Sequence, residues 1–301
     1  MIKTKENAVK FIMQEGTETQ RVVAKYLLGE KSHDEVIDQF RRFQNKDGGW
    51  ANSLEIEYQG TISSIMTTIT ALGYLYLFGL KESELYAKTI KYLEETQKAD
   101  GSWDELKEIS QFEIPIHYQP EKFIAYRTGM LIKWLNRLNY ENKAVIERAI
   151  NFMIVNYEND TVEKDFWSPV GYINAFSELG YAKKMPEIIE WAIGIIAPSQ
   201  ASPMSQEELP NKSQESPVPQ EELSNTSQAL PALQEKLPWV RIVGMIHDDD
   251  QMIYVIRDKI VEAIKNNQLP TGGWPHQFGT YNEVWAAVLI LRYLNIVENN
   301  S

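Results

Sequence analysis

His247, Asp248, Asp249 and Asp250 place four titratable side chains in consecutive positions. If they are enclosed, three carboxylates cannot all ionise cheaply: unit charges about 4 Å apart repel by roughly 4 kcal/mol at an effective dielectric of 20. A buried pair therefore keeps a proton between its members and acts as an acid, with a titration that belongs to the cluster. His247 is placed to hydrogen-bond Asp249 and orient it. Two other readings fit the same residues: an acidic cap at a helix start in contact with water, and a magnesium site for a diphosphate, built from hard oxygen ligands.

Acid chemistry that generates a carbocation also needs aromatic faces to hold positive charge. Tyr74, Tyr126, Trp134, Tyr172, Phe176, Trp285 and Tyr293 lie on helices expected to be enclosed. For any single one of them, plain core is the simpler expectation. Lys122 and Arg127 have the charge to meet a diphosphate, although surface or helix-end positions are the simpler expectation for both. His117 and His276 sit beside prolines in loop-like contexts, without metal-ligand spacing. No phosphate-cradling glycine loop, Ser-His-Asp order or dinucleotide fingerprint occurs. The absence of cysteine excludes disulfides, thiolate zinc sites and cysteine nucleophiles.

The elements that must position these residues are helices. Apolar patterning with period 3.6 predicts helices near 7–28, 32–44, 61–79, 82–97, 120–139, 142–157, 168–180, 185–197, 248–267 and 281–297, and no strands. Residues 61–79 and 284–294 are apolar nearly all round, whereas 82–97 carries charge on one face, as Lys88, Lys91, Glu94 and Glu95. All-apolar helices are expected inside and one-faced helices outside. One phrase closes several outer helices: Gln44-Asn45-Lys46-Asp47-Gly48-Gly49-Trp50, Gln97-Lys98-Ala99-Asp100-Gly101-Ser102-Trp103 and Gln268-Leu269-Pro270-Thr271-Gly272-Gly273-Trp274. The expected arrangement places the glutamine in the last helical turn, the glycines past the helix end where positive φ is common, and the tryptophan on an apolar surface of the next repeat. Three copies predict an all-α fold, an α/α toroid of about five or six helical hairpins forming one domain.

These Gln-x-x-Asp-Gly-Gly-Trp phrases, each followed by an inner helix, resemble the repeats shared by class II terpene cyclases, including squalene cyclases, and by protein prenyltransferase β subunits. Asp165-Phe166-Trp167-Ser168-Pro169 and Leu237-Pro238-Trp239 read as worn copies lacking the glycines. The resemblance implies a barrel around an apolar cavity that holds an isoprenoid chain. The prenyltransferase branch needs a cysteine at its zinc, which this chain lacks. The cyclase branch uses Asp-x-Asp-Asp; laid on 247–250 it makes Asp249 the proton donor, with Asp248, Asp250 and His247 tuning it, and puts His247 where the motif's first Asp belongs. Tyr74, Tyr126, Trp134, Tyr172, Phe176 and Trp285 would contact the substrate, with no cofactor beyond magnesium for a diphosphate substrate. The alternative is a non-catalytic toroid that binds a hydrophobic ligand or a protein partner.

With 43% hydrophobic residues among 301, the chain has material for a sizeable core. Its net charge of −12 disfavours nucleic acid and anionic membranes. The start lacks the apolar core of a signal peptide, and no apolar run approaches the roughly 20 residues of a membrane span; the expectation is a cytoplasmic protein. Residues 197–238 are three 14-residue tandem copies, marked by Ser199-Gln200, Ser213-Gln214 and Ser227-Gln228. Rich in Pro, Ser, Gln and Glu, they read as a flexible loop inserted into a domain formed by 1–196 and 239–301, and as a possible tether for a protein partner.

Overall fold

The computed structural model describes residues 2–158, 167–179, 264–266, 268–273, 287–292 and 294. These are helical and include no strand; the only ladder pairings among them are isolated bridges from Trp50 to Gln44 and to Ser64. The chain divides into two compact units, Met1–Gln39 with Gln206–Ser301, and Phe40–Ser205. The 197–238 insertion lies outside the described residues.

The first unit opens with α1 (Ile2–Glu15) and α2 (Glu18–Leu27), which pack on each other. Periodicity alone predicts one helix over 7–28, and the structure breaks it at Gly16-Thr17. Thr17 accepts a bond from Gln20 N at 3.3 Å while Gln20 Oε1 accepts from Thr17 N at 2.8 Å. This capping box satisfies two amide donors that a new helix start leaves open. Residues 264–266 and 287–292 are helical and present Ile264, Ala287, Val288, Ile290 and Leu291 as buried side chains.

The second unit is built in two layers. Its inner helices are α4 (Ile65–Leu77), α6 (Ile124–Arg137) and α8 (Trp167–Glu178); α6 packs against both others. The outer ones are α5 (Glu84–Thr96), against α4, and α7 (Lys143–Glu158), against α6. Helix α3 (His33–Arg41) precedes the first repeat phrase. The inner helices are buried along most of their length, as an all-apolar pattern requires; α4 buries nine of its 13 residues. Gly129 and Gly171 let α6 and α8 approach until backbone meets backbone, since a Cβ on either would overlap the carbonyl of Gly171 or Ala125 respectively.

The three phrases fold alike. Asn45 N donates to Gly49 O, Lys98 N to Ser102 O and Leu269 N to Gly273 O, at 2.8–2.9 Å. Gly48, Gly101 and Gly272 have φ of 92°, 93° and 96°, the region closed to most side chains. The glutamines lie past the helix rather than in its last turn: α3 ends at Arg41, and Gln97 is the C-cap of α5. Each reaches across to another helix. Gln44 Nε2 donates to Gly48 O and Leu85 O, Gln97 Nε2 to Gly101 O and Val145 O, and Gln268 Nε2 to Gly272 O and Thr4 O, all at 2.9–3.0 Å. Each glycine abuts the carbonyl three residues further along that helix, at Lys88, Arg148 and Asn7. Trp50 and Trp103 are fully buried, and their amides donate to Thr68 Oγ1 on α4 and Thr128 Oγ1 on α6. The phrase is thus a clamp that seats one repeat on another helix, and in the first two copies its tryptophan amide bonds the following inner helix.

Candidate functional site

The segments between each tryptophan and the following inner helix, 51–64 and 104–123, carry a buried polar cluster. Glu105 leaves the second clamp and caps α4: its carboxylate accepts from Ser64 Oγ at 2.9 Å, Ile65 N at 2.9 Å and Met66 N at 2.7 Å. The positive end of α4 and its open N–H groups favour an anion there. Burial pushes the Glu105 carboxyl up, opposed by the charge of Arg127 and these donors.

Arg127 is fully buried on α6, against the sequence expectation of a surface or helix-end charge. It pairs with Asp104 at 2.6 Å and donates to the carbonyls of His117, Gln119 and Lys122. Asp104 also meets Lys98 at 2.8 Å. Glu121 and Phe123 hold positive φ in the loop that Arg127 ties down, so the guanidinium braces a strained entry to α6. Lys122 is exposed.

Beside this brace lies Glu55, half-buried as a residue but with its carboxyl enclosed. Tyr118 Oη donates to it, and Thr70 Oγ1 on α4 donates at 2.7 Å. Burial raises the Glu55 carboxyl to about 7, outweighing the two donors, and the charges of Glu57 and Glu105 add to the rise. Glu55 is a carboxylic acid that holds its proton near neutral pH, the property required of a general acid. Tyr118 is fully buried, stacks on Tyr58 with ring centroids 5.2 Å apart and lies 3.3 Å from Thr67 Oγ1. An open cleft of about 500 Å3 adjoins, lined by Glu57, Gln59, Gly60, Phe112, Glu113 and Pro115 among others. His117 sits 3.5 Å from Glu57, and burial, with the Arg127 charge, lowers its imidazole to about 4.

The acidic run 247–250, Trp285, Tyr293 and His276 lie outside the described residues. Of the remaining aromatics, Tyr74 is half-buried on α4, tilted against Phe40 and stacked on Phe78. Tyr126 is half-buried on α6, and Trp134 is 8% exposed against Tyr76. Tyr172 and Phe176 are fully buried on α8 with ring centroids 5.7 Å apart, and the Tyr172 hydroxyl donates to Met153 O at 3.1 Å. The structure thus brings Trp134 to the α4–α6 contact and pairs Tyr172 with Phe176 on α8. It also presents Glu55, Glu105 and Tyr118, which no motif marks.

Among the described residues no group of three His, Asp or Glu side chains gathers as a metal site, and no helix is long and apolar enough to cross a membrane. Compared with protein-family models, with curated proteins and with solved structures, the chain matches none.

Proposed function

We propose that the chain is a terpene-cyclase-like α/α toroid that encloses an apolar, isoprenoid-type molecule and starts its cyclisation by protonation. The observation that carries this reading is the third clamp. Gln268 and Gly272 dock on α1, the first helix of the chain, with the geometry by which the earlier clamps dock on α5 and α7. A last repeat that seats on the first helix is what a closed ring requires. The half-buried face of α4, with Thr70, Tyr74 and Leu77, would line the enclosed space.

Two acids are candidates for the donor in this reading. The resemblance points to Asp249, with Asp248, Asp250 and His247 around it. The geometry favours Glu55, protonated near neutral pH and bonded to Thr70 on that face. Incubation with farnesyl diphosphate, geranylgeranyl diphosphate and squalene, with and without magnesium, separates them. Loss of cyclised product in Glu55→Gln alone assigns the acid to Glu55, and loss in Asp249→Asn alone assigns it to the run. If the wild type is inert on all three, the enzyme reading fails. A non-catalytic ring binding a hydrophobic ligand or a partner protein then stands, and the complete burial of Tyr172 and Phe176, which fill space rather than line it, already favours that second reading.

A further inference from the structure

Lys133 on α6 is 2% exposed, yet no described residue gives it a hydrogen bond or an ion pair. Its ammonium lies 4.8 Å from the centroid of the Trp134 ring. One turn further, Arg137 is held by Glu178 of α8, with Nε 2.7 Å from Oε1, and its Cζ is 5.7 Å from the same indole. Among the described residues this corner thus holds two cations and one carboxylate.

A buried ammonium without a counter-charge is costly, and the deficit is relieved by losing the proton or by taking in an anion. Lys133 lies on the same face of α6 as Tyr126, Met130 and Arg137, which keep part of their surface open. We propose that Lys133 is the head-group site for a singly charged anionic amphiphile, a carboxylate on an apolar chain, with the chain laid along Tyr126 and Met130. The proposal rests on the reading that the inner faces enclose an apolar ligand. A single uncompensated cation fits a carboxylate better than a diphosphate, which brings two or more charges to a site that can neutralise one.

In the absence of ligand, burial lowers the Lys133 amine to about 7. Arg137 on its own helix lowers it further, and Glu178 on α8 opposes. Helix α4 contributes no charged residue, only the phenols Tyr74 and Tyr76, and Lys143, Glu147 and Arg148 of α7 are exposed. A carboxylate arriving beside the amine restores its proton, so binding above neutral pH is coupled to proton uptake.

The test uses the full chain with decanoate and decanol, which share an apolar chain and differ in charge. At pH 8, calorimetry in two buffers of different ionisation enthalpy should give uptake of about one proton for decanoate and none for decanol. Wild type should bind decanoate roughly tenfold more tightly than decanol, and Lys133→Met should bind both equally, with no proton uptake. Decanol binding by the variant is the control for an intact site, and Lys133→Gln serves if methionine disturbs it. Equal binding of the two ligands by wild type, or an unchanged preference in the variants, overturns the head-group site and leaves the apolar-ligand reading standing. Failure of wild type to bind either ligand overturns both.

Discussion

Glycine and glutamine divide the work in each clamp. Gly101 combines φ of 93° with a position where any Cβ would overlap the Arg148 carbonyl. Gly101→Ala should therefore cost about 2 kcal/mol or more, from left-handed strain and the forced separation of the turn from α7. The next position behaves differently. Ser102 already carries a side chain there, and its hydroxyl bonds Asp100 at 2.7 Å, whereas a Cβ on the equivalent Gly49 would lie 2.5 Å from the Ser63 Cβ. Ser102→Gly should cost about 1 kcal/mol, the scale of one hydrogen bond, and Gly49→Ala more. Urea unfolding midpoints of the three variants rank them; equal midpoints for Gly101→Ala and Ser102→Gly would show that the glycine is not required. Gln44→Leu and Gln97→Leu should weaken their clamps to a similar extent, because the Gln44 amide also bonds Thr89 at 3.0 Å and the Gln97 Oε1 also accepts from Arg148 Nε at 3.1 Å. The glycines' role was legible in the repeated phrase, whereas the glutamines were expected in the last helical turn and instead reach to another helix. The roles of Glu55 and Lys133 were not legible, because a solitary Glu or Lys looks like surface until distant residues close over it. Tyr118, which bonds Glu55, is 63 positions away.

At the scale of elements, the inner helices were legible from composition, since 61–79 is apolar nearly all round and α4 covers Ile65–Leu77 within it. Their starts were not, because Ser64 supplies only part of the cap of α4, accepting from Thr67 N, and the rest comes from another repeat. Glu105 satisfies two α4 amides and the Ser64 hydroxyl from about 40 positions downstream. Glu105→Ala should cost about 2–3 kcal/mol, the scale of charge-assisted bonds lost from a buried helix end. Amide exchange localises the effect: faster exchange should concentrate at Ile65–Thr68 and spare α7. Uniform acceleration across both helices would instead mean that Glu105 supports the whole unit. Arg127 makes the complementary point. Its sequence position at the start of an apolar helix reads as a helix-end charge, but the Asp104 carboxylate and three loop carbonyls supply partners that let it be buried.

For the whole molecule, Glu55, His117 and Lys133 set opposing trends of stability with pH, and Glu105, also raised by burial, acts in the sense of Glu55. Glu55 is raised from 4.5 to about 7, so its folded form binds protons more tightly than the unfolded chain. Its contribution is full below about 4.5 and is lost as pH rises to about 7. His117 is lowered from 6.5 to about 4, so its contribution is full above about 6.5 and is lost as pH falls towards 4. Each shift corresponds to on the order of 3 kcal/mol, and across the acid window the two oppose each other, with Glu105 on the side of Glu55. Lys133, lowered from 10.5 to about 7, acts above neutrality, where the phenols of Tyr92, Tyr118 and Tyr172, raised by burial, oppose it only as pH nears 10. The unfolded chain there binds the extra proton, so stability rises from about pH 7 towards 10. Guanidinium unfolding between pH 5 and 9 should therefore show a rising alkaline limb. Relative to wild type, Glu55→Gln should tilt the acid side upward with pH, because one of the two raised carboxyls that oppose His117 is removed, and His117→Gln should tilt it downward. Lys133→Met should remove the alkaline rise while leaving the acid side as in wild type. A persisting alkaline rise in that variant would mean that the Lys133 amine titrates as a solvated lysine, and the cost assigned to its burial would be withdrawn.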